Sequence, residues 1–160
     1  MIDPEAVIRR IREAFADTEQ PPQETLFNNH CCECADVSAA FAGKRWTEVT
    51  LDDVMRGREI ALLTAAAWRY YLPAFLIWTI REPKTVDVLQ DNLEFQLAPP
   101  VHGHGVPEWF EQRAPGFSAQ QRAAIAAFLD WSRERGEAVY PPGTMPPHVY
   151  NALKYWSCLE

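Results

Sequence analysis

The chain has no phosphate-binding glycine loop, no dinucleotide glycine pattern, no His-Glu-x-x-His and no Gly-x-Ser-x-Gly. Four common routes to nucleotide, zinc-protease and serine-hydrolase chemistry are therefore missing. Nothing repeats at solenoid periods, and the alternation of a half-buried strand is nowhere sustained. Basic charge is also scarce: 15 Lys and Arg stand against 22 Asp and Glu, a formal charge of −7. Such a surface repels phosphate backbones, so no nucleic-acid partner is expected, whereas basic proteins are attracted and associate faster. The four cysteines form no secreted disulfide framework, because Cys31, Cys32 and Cys34 crowd one stretch and Cys158 stands apart. Met1-Ile2-Asp3-Pro4-Glu5 has no basic, apolar leader. Reduced thiols and a cytoplasmic setting are the expectation.

What is present reads as helix. One long apolar run, Ile60 to Ile80, carries a single charge, Arg69, and a single proline, Pro73. A helix apolar on every side must be wrapped by protein or by lipid. Arg69 near the middle of a span would cost a few kcal/mol, and no second apolar run exists to pair with it, so no membrane span is expected. The run reads instead as the proline-kinked central helix of an all-α bundle. Six or seven helices are expected in one domain over residues 1–160, a length able to bury about 70 % of the unfolded chain's surface.

Amphipathic segments on either side supply the wrapping. Asp3 caps a first helix that Pro4 opens, with Val7, Ile8, Ile11 and Phe15 on one face. A second helix starts near Asn28 or Asn29 and ends before Gly43, with His30, Cys34, Val37 and Phe41 inward. Thr50 and Asp53 form a capping box for a short helix through Met55. From about Lys84 to Leu97, Val86, Leu89, Leu93 and Leu97 face inward, and Asp87, Asp91 and Glu94 form an acidic outer stripe. Residues 99–107 are too rich in Pro and Gly for a helix. Glu108 to Arg113 makes one or two turns. Ser118 with Gln121 caps a helix from Ala119 to Arg135 that Gly136 stops, its buried face carrying Ile125, Phe128, Leu129 and Ser132. A last helix runs from Pro147 through Trp156, anchored by Val149, Leu153 and Trp156.

Three constellations carry possible chemistry. Cys31 and Cys34 share one side of a helix, and His102 and His104 in the glycine-rich loop would complete a Cys₂His₂ zinc set; without them the thiols are packed core residues. Arg69, Tyr70 and Tyr71 sit where Pro73 withholds an N–H from the helix. They serve either a buried ion pair or a ligand pocket near the cysteine cluster, as in a small enzyme or sensor. Asp87, Asp91 and Glu94, with Asp52 and Asp53, are either a solvated face or a docking surface for a basic partner.

The runs His30-Cys31-x-Glu33-Cys34, Phe41-x-Gly43-Lys44-x-Trp46 and Trp68-Arg69-Tyr70-Tyr71-Leu72-Pro73-Ala74 together resemble a small bacterial domain family of unknown function. The resemblance implies a discrete domain and carries no activity. Taken with the missing catalytic motifs, the residues point to a non-enzymatic binding protein without a required cofactor. The expected role is that of a cytoplasmic immunity protein which neutralises a cognate toxin through acidic residues.

Overall fold

The computed structural model describes residues 1–27, 32–100 and 106–158, with side chains from Cys34 onward in the second of these segments. The described residues form eight α-helices: α1 (Pro4–Phe15), α2 (Cys32–Phe41), α3 (Leu51–Arg56), α4 (Ala65–Arg81), α5 (Pro83–Leu97), α6 (Glu108–Arg113), α7 (Ala119–Val139) and α8 (Pro147–Ser157). Short 3₁₀ turns link several of them, and the β-structure found is one isolated antiparallel bridge, Phe27 to Leu63. The fold is all-α. No described helix is long and apolar enough to cross a membrane.

Two compact units are distinguished, Phe15–Gln90 and a second built from Met1–Ala14 and Asp91–Glu160. In the first, the apolar run 60–80 is not one helix. Ile60–Leu62 forms a 3₁₀ turn, Leu63 is extended and bridges to Phe27, and the Thr64 hydroxyl accepts from Ala67 N–H at 3.3 Å to start α4. Thr64 also donates its N–H to Leu26 and its hydroxyl to the carbonyl of Thr25. A capping threonine with these partners outweighs the helical preference of the apolar residues before it. From Ala65 the helix runs on through Pro73.

The core of this unit gathers on Phe41. Its ring lies 4.7 Å from that of Tyr71 and 5.5 Å from that of Phe75. At the end of α3, Gly57 sits so close that an added Cβ would lie 2.5 Å from the Phe41 ring. The Trp78 indole donates to the carbonyl of Val49 at 2.8 Å, fixing the segment before α3.

In the second unit α7 packs on α8. The expected Ser118–Gln121 capping box is present, and Ile125, Phe128, Leu129, Trp131 and Ser132 are buried. Gly136 does not stop α7, which continues to Val139. A Cβ there would lie 2.7 Å from Met145 Cε, so the glycine admits a close approach instead of ending the helix. In α8, Val149 and Trp156 are buried as expected, but Leu153 is half-buried and Ala152 is fully buried in its place. The Trp156 indole donates to the last carbonyl of α5, Leu97, at 2.8 Å.

Candidate functional site

The acidic positions separate by environment. Asp87 and Asp91, one helical turn apart on α5, are exposed, and so is Asp52 in the first turn of α3. None of the three makes an ion pair with another described residue. Asp53 and Glu94, expected beside them at the surface, are instead buried, at 6 % and 4 % exposure.

Asp53 is consumed by its own helix. Its carboxylate accepts from Lys44 Nζ at 2.6 Å, from Thr50 N–H at 3.0 Å and from the Thr50 hydroxyl at 2.9 Å. Burial pushes the carboxyl upward, but Lys44 and Thr50 together hold it below its ordinary value. Glu94 accepts a hydrogen bond from the Ser132 hydroxyl, and His148 Nε2 lies 3.7 Å from its other oxygen. Glu94 follows Leu93 by one residue and so lies about 100° from it around α5, on the flank of the buried stripe and not opposite it. There Ser132 of α7 and His148 of α8 meet it.

A second buried polar pair lies in the same unit. Arg113, at the end of α6, donates to the side-chain carbonyl of Gln96 at 2.9 Å, and its guanidinium sits 5.7 Å from the centre of the Trp109 ring. Burial pushes the Arg113 guanidinium down to about 10. Gln96 in turn donates to Asn92 at 3.2 Å. These groups join α5 to α6, as Glu94 joins α5 to α7 and α8. Such hydrogen bonds between buried polar groups stabilise one arrangement of helices. Within the trio the Ser132 hydroxyl donates to Glu94, and His148 Nε2 has no hydrogen-bond partner among the described residues.

Of the residues near Pro73, Tyr71 has a structural task. Its hydroxyl lies 3.0 Å from the carbonyl of Phe41 and 2.8 Å from that of Lys44, where it donates to the turn that follows α2. Burial, with Tyr70 beside it, pushes its ionisation up to about 12. Tyr70 is buried too, and burial raises it, while Arg69 is half-buried and burial lowers it. Cys34 is buried, whereas Cys31, His102 and His104 lie outside the described residues.

The model of a family of unknown function (DUF6714) matches residues 3–158. The chain belongs to that family. No curated protein and no solved structure matches it.

In this DUF6714 chain the polar residues that sequence reasoning missed are His148, Gln96 and Arg113. Ser132 offered a signal, because a hydroxyl on the buried face of α7 requires a partner. The partner itself was not legible, since Glu94 and Ser132 are 38 residues apart.

Proposed function

We propose that this chain is a non-enzymatic binding domain, an immunity protein that occludes a basic toxin in the cytoplasm. The observation that carries the reading is the division of its carboxylates. Asp53 and Glu94 are engaged internally, while Asp87, Asp91 and Asp52 stay exposed without a counter-charge on a chain of net charge −7. Val88, 79 % exposed, lies between the two α5 aspartates in sequence and gives that helix an apolar contact beside its charges. Acidic side chains around an apolar contact suit a partner with Lys and Arg about its own apolar centre. Solvated carboxylates steer such a partner and fix its register more than they add affinity.

Affinity capture from the native host's lysate at low and high salt tests the reading. The expected result is one stoichiometric basic partner, retained at low salt and released as salt screens the carboxylates. Retention of no partner, or of one indifferent to salt, would count against it.

A further inference from the structure

A groove of about 740 Å³ runs along α1, α7 and α8 within the unit built from Met1–Ala14 and Asp91–Glu160, well away in character from the acidic positions. Its volume falls in the range of small-molecule sites. Its apolar lining comes from short and bulky side chains together: Ala123, Ala126 and Ala127 of α7, Val7 of α1 and Trp156 of α8. Alanines at these spacings leave room that leucines would fill.

Four charged residues line the groove, and they are not equivalent. Asp130 is held by Arg133 at 2.7 and 3.0 Å, and Asp3 accepts the Glu5 N–H at 3.1 Å as the cap of α1. Arg10 and Arg122 have no carboxylate partner among the described residues. Arg122 gives one N–H to the carbonyl of Phe117 at 2.8 Å, and its buried Nε has no acceptor among the described residues. On an acidic chain this groove thus carries two guanidinium groups that form no ion pair with a described residue, beside an apolar floor.

We propose that this groove binds an anionic amphiphile, a carboxylate carried on an unbranched hydrocarbon chain. Arg10 and Arg122 hold the carboxylate, and the alanine floor takes the chain. The site is independent of the proposed toxin surface, and either stands if the other fails.

The test is calorimetric titration of the full chain with decanoate, with decanol and with decyltrimethylammonium, all below their micellar concentrations. Saturable one-to-one binding of decanoate is expected, at least about tenfold tighter than of either other probe. Arg10→Gln, at an exposed position that no described contact depends on, is expected to weaken decanoate by about tenfold and leave decanol unchanged. Ala126→Leu, which fills the groove, is expected to abolish binding of all three. Equal binding of the cation and the anion, non-saturable uptake, or decanoate binding indifferent to both variants would overturn the proposal.

Discussion

Tyr71 shows how one hydroxyl can settle a loop. Its ring packs on Phe41 while its oxygen reaches the carbonyls of Phe41 and Lys44, so the turn after α2 is tied to α4 by a single side chain. Tyr71→Phe leaves those buried carbonyls without that donor and is expected to destabilise the fold by about 1–2 kcal/mol, read as a lower urea midpoint at unchanged slope. Asp53 makes a matching prediction in pH. Its folded carboxyl lies below the ordinary 3.8, so its contribution is fully present above that value and is lost as pH falls through the lower, folded one. Asp53→Asn is therefore expected to cost about 1–2 kcal/mol at neutral pH, with the gap to the parent closing below about pH 4. A gap that stays constant to pH 3 would contradict the assignment. At Glu94 the expectation is harsher: Glu94→Ala removes a buried carboxylate that accepts from Ser132, leaves a cavity between helices and is expected to cost about 3 kcal/mol in chemical denaturation.

Helices were legible where local chemistry decides them. Asp3, Thr50 and Ser118 each stand at the start of the helix they were expected to cap, because a capping oxygen acts on an N–H only two or three residues away. Legibility failed where the deciding partner is distant in sequence. Leu63 leaves the apolar run where Phe27 bridges it, and Gly136, inside α7, stands where Met145 occupies the space a side chain would need. Glu94 looked like part of a stripe until Ser132 and His148, on other helices, met it. Exposure divides for the same reason: at Asp87, Asp91 and Asp52 it follows from each helix's own pattern, whereas burial at Asp53 and Glu94 depends on neighbours. Gly57 carries the prediction at this scale. Gly57→Ala would put a methyl group 2.5 Å from the Phe41 ring and is expected to destabilise by about 1–3 kcal/mol, measured as a fall in melting temperature.

For the molecule as a whole, charge is the property on which the proposed function rests. The surplus of acid is not spread evenly in its consequences, since the buried carboxylates hold helices together and only the exposed ones can meet a partner. Stability and binding should then separate cleanly under substitution. The most direct measurement is partner affinity of the double variant Asp87→Lys/Asp91→Lys against the parent at low and high salt, with unfolding midpoints taken alongside. The expected result is a stability change within about 0.5 kcal/mol, an affinity loss of about tenfold or more at low salt, and a flattened salt dependence. Unchanged affinity and unchanged salt dependence in a folded double variant would contradict the acidic-surface account.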